Sequence, residues 1–156
     1  MSLNRSDGFF TSALRVPAYA EVEDWLLADS AGYDYSGSKS EVGMKVILRT
    51  AINEAFLEAS AALKNNDVQA AYLWLERAHI ITQRMPLAHA RSHWLMLKLG
   101  LQTRDWREVV GQVPRIFAAL LFSRIWVPVG NTGRARVNAF SVMPLSADLQ
   151  ELMRDD

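Results

Sequence analysis

Pro86 stands between two stretches that each favour a helix, and no other residue constrains this chain as much. Upstream runs Glu76-Arg77-Ala78-His79-Ile80-Ile81-Thr82-Gln83, and downstream runs Leu87-Ala88-His89-Ala90-Arg91-Ser92-His93-Trp94. A proline inside a helix removes a backbone donor and clashes with the preceding turn, but in a first turn it costs nothing. The stretch therefore predicts one helix ending near Gln83, a second starting at Pro86, and a tight antiparallel hairpin between them. All three histidines of the chain lie within it. Glu76 and His79 are three apart and His89 and His93 four apart, so each pair shares one face of its helix. Counting outward from a turn at Arg84 and Met85 brings His79 level with Ala90 and Glu76 level with His93. Four metal-capable side chains can thus converge between two helices.

Composition narrows what such a cluster can do. At 156 residues the chain has the size of one ordinary domain with its own core. Lys plus Arg and Asp plus Glu number 17 each, so no global charge invites nucleic acid or an anionic membrane as a partner. The absence of cysteine excludes disulfides, a thiolate nucleophile, zinc ribbons and iron-sulfur clusters. A metal site here must use nitrogen, oxygen or thioether ligands. There is no apolar run long enough to span a bilayer, and no basic segment followed by an apolar core opens the chain. A soluble cytoplasmic protein is expected.

Along the chain, residues 1–43 read as an appendage and 44–156 as a helical domain with an extended C-terminal tail. The appendage carries a short helical pattern from Val16 to Ala28, then a linker rich in turn residues, with Phe9, Phe10, Trp25 and two tyrosines available for docking. Met44 to Lys64 is alanine-rich and helix-favouring. Asn66 with Gln69 forms a capping-box pattern that opens a helix over 67–83. A third helix runs from Pro86 to Leu101, with Gly100 as its stop. Asp105 with Glu108 opens a fourth, which Gly111 and Pro114 should kink or divide before Phe122. The two capped turns lie 38 residues apart, so the middle of the chain reads as two helix-turn-helix units resembling a tetratricopeptide-type stack. The fold class is all-α: two antiparallel hairpins in a tetratricopeptide-like or four-helix arrangement. Beyond Ser123 the prolines and glycines stop any helix, and the apolar residues from Ile125 to Val142 predict a tail that wraps along the bundle. A short helix from Ser146 to Met153 closes the chain.

On a helical wheel Tyr72, Glu76, His79 and Gln83 form one stripe and His89, His93, Met96 and Gly100 another, both bordering apolar surfaces. Buried imidazole or carboxylate needs partners. Two solutions remain open: a hydrogen-bonded Glu-His network, or one divalent transition metal held by His79, His89, His93 and Glu76. Such a set suits zinc, iron, nickel or copper, with Met96 as a soft addition for copper. Glu54 and Glu58 come level with Glu76 on the first helix and offer a further carboxylate. Gly130-Asn131-Thr132-Gly133 with Arg134 and Arg136 reads as a turn with solvated arginines before it reads as an anion site. The leading function is metal binding, in storage, sensing or handling. The alternative is a tetratricopeptide-like module for a protein or peptide partner, with a purely structural His/Glu network, and a mononuclear metalloenzyme comes third.

Leu75-Glu76-Arg77-Ala78-His79, the run from His89 to Leu97 and the run from Ala118 to Gly133 resemble a small bacterial family known only as a domain of unknown function. The resemblance covers Met44 to Leu149. It implies a recurring bacterial unit and brings no activity with it.

Overall fold

Residues 39–154 of this computed structural model are described, with side chains from Val46 onward. Among them are α1 (Lys39–Lys64), α2 (Val68–Thr82), α3 (Pro86–Thr103), α4 (Trp106–Phe122) and the short α5 (Ala147–Leu152), with no strand. The four main helices follow one another through short turns, and each packs on the next: α1 on α2, α2 on α3, α3 on α4. Short connections of this kind join antiparallel neighbours. The all-α architecture is as expected. The expected appendage lies outside the described residues, except that Lys39 to Gly43 already belong to α1. One glycine costs a helix only about 1 kcal/mol, which a helix of this length absorbs.

Local chemistry sets the turns. Asn66 has φ 58° and closes the turn after α1 in the left-handed region, which asparagine tolerates. The cap of α2 is therefore Asp67 and not Asn66, and its carboxylate accepts from the Ala70 N–H at 2.9 Å. Pro86 opens α3 as expected. Gly100 does not stop that helix: α3 continues to Thr103 and ends at Arg104, φ 57°, while Gly100 packs against Glu108 and Val109 of α4. Asp105 caps α4 by accepting from the Glu108 N–H at 3.2 Å. Pro114 does not divide α4, which runs unbroken from Trp106 to Phe122. It lies on the exposed side with Val110, so the carbonyl that loses its partner can bond water.

The apolar core is built by α1, α2 and α3 through Ile52, Phe56, Leu75, Ile81, Met96 and Leu99, and it is closed by Leu149 of α5. Helix α4 contributes little to it, since its buried residues are Glu108, Gln112 and Ala119. The tail does lie along the bundle, but not through the residues expected to hold it. Ile125, Trp126, Val129, Phe140 and Val142 are all exposed. The docking is polar. Arg134 donates to Glu76 at 3.1 Å, lies 3.2 Å from the buried Glu108 carboxylate and stacks 3.4 Å from the centroid of Tyr72. Arg115 donates to the Val137 carbonyl at 2.8 Å, and Arg136 to Asp105 at 2.8 Å. The arginines after the glycine-rich turn are thus paired with carboxylates and not merely solvated. The physical reason is that α2 and α4 bury polar side chains that need partners, and the tail's backbone and arginines supply them. No helix of the described residues is long and apolar enough to cross a membrane.

Removing one partner of a buried ion pair strands the other. Arg134→Ala leaves the fully buried Glu108 without its cation, so urea denaturation should show a loss of about 3–5 kcal/mol. An equivalent loss is not expected for Arg136→Ala, whose pair is half exposed.

Candidate metal centre

His79 lies in the last turn of α2, and His89 and His93 on successive turns of α3, across the short turn that Pro86 terminates. All three are buried. One ring nitrogen of each lies within 4.8 Å of the others. The ring centroids form a nearly equilateral triangle with sides of 4.6, 4.6 and 4.9 Å. A tetrahedral ion with metal–nitrogen bonds near 2.1 Å sets its ligand nitrogens about 3.4 Å apart, within the range this trio spans.

The surroundings fix where each imidazole carries its proton. His79 Nδ1 lies 3.0 Å from the Asn131 carbonyl oxygen, which can only accept, so Nδ1 is the N–H and Nε2 the lone pair. His93 Nδ1 lies 2.7 Å from Gln112 Oε1. The Gln112 amide cannot be turned round, because its Nε2 donates to Glu108 at 2.7 Å and to the Gly133 carbonyl at 2.9 Å. His89 Nδ1 lies 2.7 Å from Ser123 Oγ, and that hydroxyl is spent on the Ala119 carbonyl one turn back along α4. Ser123 therefore accepts from His89. With Ser123 as the acceptor, Nε2 carries the lone pair in His89 as in His79, and these two atoms face each other at 2.8 Å; the Gln83 backbone carbonyl is a further acceptor at the His89 ring.

Two lone pairs at that separation repel unless something positive lies between or beside them. A ring proton is the poorer candidate. Burial, reinforced by the neighbouring imidazoles, holds His79 well below the usual histidine range. Burial lowers His89 to about 4, and burial together with His89 lowers His93 to about 3. Neutral imidazoles with Nδ1 anchored on oxygen acceptors and Nε2 turned inward form the donor set that transition metals take, and anchors of this kind orient ligands in metal sites.

The structure brings together three of the four residues singled out from the sequence. Glu76 is not in the group; its carboxylate, raised by burial and drawn back by the guanidinium, is held by Arg134. Glu54 and Glu58 face solvent. Met96 is fully buried, and its sulfur takes a long contact of 3.5 Å from Gln112 Nε2. Sequence reasoning missed Gln112, Ser123, Asn131 and Glu108, which hold the ring orientations. One signal was available: Glu108 and Gln112 stand four apart on a largely apolar helix and so share one face, where a buried polar pair needs partners. The turn at residues 130–133 has a structural role. Gly133, at φ +77°, lies so close to His79 that a Cβ there would meet the ring at 2.6–2.8 Å.

One family profile matches residues 47–153, from α1 to the end of α5. The chain belongs to the family DUF3703, described as a protein of unknown function. No curated protein and no solved structure matches it. Everything that builds the trio in this DUF3703 chain, from α2 through the tail, falls inside the matched span.

The depressed histidines give the metal-free protein an acid-sensitive fold. The unfolded chain takes up protons near pH 6.5, while folded His89 and His93 refuse them until about 4 and 3. Stability is therefore complete above pH 6.5 and falls below it, by about 1.4 kcal/mol per pH unit for each histidine in the window. Thermal unfolding between pH 7.5 and 4.5 should show this slope, and His93→Gln should flatten it.

Proposed function

We propose that this DUF3703 protein binds one transition-metal ion through His79, His89 and His93, in storage, sensing or handling of the metal and not in catalysis. The observation that carries the reading is the pair of inward Nε2 lone pairs 2.8 Å apart, each fixed by an acceptor behind its Nδ1. A purely structural network would need one of these nitrogens to donate to the other. That requires Ser123 to leave the Ala119 carbonyl and point at His89, or a proton that burial disfavours. A metal ion meets the demand without either change.

The donors are all neutral nitrogen, which suits zinc, copper, nickel or iron. Glu108, which stands behind Gln112 and His93, is already paired with Arg134, so the ligand set carries no net charge of its own. Glu76, occupied by Arg134, is assigned to the outer network that holds the tail and not to the metal. A storage, sensing or handling role accords with the chemistry around the trio. No carboxylate or further imidazole among the described residues joins the three histidines, so no separate general base stands beside the ligands.

Calorimetry on protein purified without a histidine tag should find one site for zinc, copper, nickel or ferrous iron tighter than about 10 µM, weakening as pH falls. His89→Ala and His93→Ala should abolish it. Gln112→Leu should weaken it about 10- to 100-fold, as loss of an anchoring partner does. Glu76→Gln should leave it within a few-fold. Absence of any such site, or unchanged affinity in His89→Ala, would overturn the reading.

A further inference from the structure

Helix α4 buries polar residues and turns an apolar seam outward. Trp106, Val110, Val113, Phe117 and Leu120 follow one another at spacings of four, three, four and three residues. That is the repeat by which one helix packs along another, with small left-handed supercoiling to keep the seam in register. Each of the five is between 43 % and 70 % exposed. A helix of this composition has no reason to show such a seam to water.

We propose that α4 packs antiparallel on α4 of a second copy of this chain, with a twofold axis beside Val113. The inference is independent of the metal reading. Its first support is that the seam is complementary to its own reverse. With Val113 facing itself on the axis, Trp106 comes opposite Leu120, and Val110 comes within one residue of the level of Phe117. Each bulky aromatic then meets a smaller aliphatic residue, as interdigitating layers require, and the same patch serves both subunits.

Charge gives the second support. The seam from Trp106 to Leu120 contains no charged residue. The exposed Arg107 on its flank would meet Arg107 of the other copy in a parallel pair, whereas in the antiparallel pair it falls level with Ala119. A single flanking arginine is a poor electrostatic anchor for a lipid surface, where amphipathic helices carry rows of basic residues.

Area gives the third. A whole aromatic side chain presents about 150–250 Å², so the two aromatics and three aliphatics at these exposures offer on the order of 400 Å² of apolar surface. With the polar rim that interfaces carry, this approaches the roughly 800 Å² per partner of a stable complex.

Sedimentation equilibrium of the full chain should give twice the 17.6 kDa mass of one copy. Val113→Arg should halve that mass while leaving the far-UV circular dichroism unchanged, since position 113 is exposed. Mixing Val113→Arg with Val113→Glu should restore the dimer, because only a twofold axis at this residue places the two charges together. In this cysteine-free chain, Val113→Cys should form a disulfide-linked dimer on mild oxidation. A monomeric unaltered chain would overturn the proposal, as would a dimer that survives Val113→Arg and resists crosslinking at position 113. A monomer that co-sediments with phosphatidylserine vesicles would overturn it in favour of a membrane surface.

Discussion

The carbonyl oxygen of Asn131 behind His79 is the contact on which the rest of the arrangement depends. It comes from a segment that is neither helix nor strand, yet it decides which nitrogen of a buried ring carries the proton. For that carbonyl to reach α2, the chain must pass over the histidines with no side chain in the way, hence Gly133 in a left-handed conformation against the His79 ring. The same passage brings the Gly133 carbonyl to Gln112 and Arg134 to Glu108. Asn131 is itself held, its side-chain amide donating to the Asn138 and Ser141 carbonyls at 2.8 Å each. The tail is therefore part of the centre's framework.

This explains why α4 is built inside out. A helix at the edge of a bundle ordinarily buries its apolar stripe and wets its polar one. Here Gln112 faces inward as the acceptor behind His93, Glu108 faces inward to hold the Gln112 amide, and Ser123 at the end of the helix supplies the next acceptor. The apolar stripe is displaced to the outside. Stability comes instead from α1, α2 and α3, whose alanine-rich contact surfaces let the helices approach closely around Phe56, Leu75 and Leu99.

How much of this could be read from the sequence follows from the range of the interactions involved. Pro86, Asp105 and the short turns act within a few residues, and they placed the helices and the hairpin that joins His79 to His89 and His93. Periodicity alone also identified the stripe from Tyr72 to Gln83 as polar and in need of partners. Its actual partners lie between about 45 and 60 positions further along the chain, in a segment without periodicity, where counting from a turn has no purchase. Glu76 was assigned to the histidines for the same reason. Level counting puts its backbone beside His93, but a glutamate side chain takes the nearest guanidinium, and Arg134 could not be placed from sequence. Asn66 and Asp67 illustrate the limit at the shortest range, since both residues favour a cap and only the left-handed backbone at Asn66 decides between them.

A fold that holds three neutral imidazoles with their lone pairs converging carries an electrostatic cost in the absence of a cation. The burial that lowers the histidine pKa values keeps protons off the rings and so leaves those lone pairs unshared. A bound ion would relieve it and, by mass action, stabilise every element that holds a ligand or its anchor. Those elements are α2, α3, α4 and the turn at residues 130–133, so the stabilisation is not confined to the hairpin that carries the histidines. The anchors would couple the tail to such an ion through the ligands: without the Asn131 carbonyl, His79 is free to exchange tautomers and its lone pair no longer has a fixed direction. On the metal-binding proposal, affinity and tail docking would be two sides of one equilibrium, and a change in either would appear in the other.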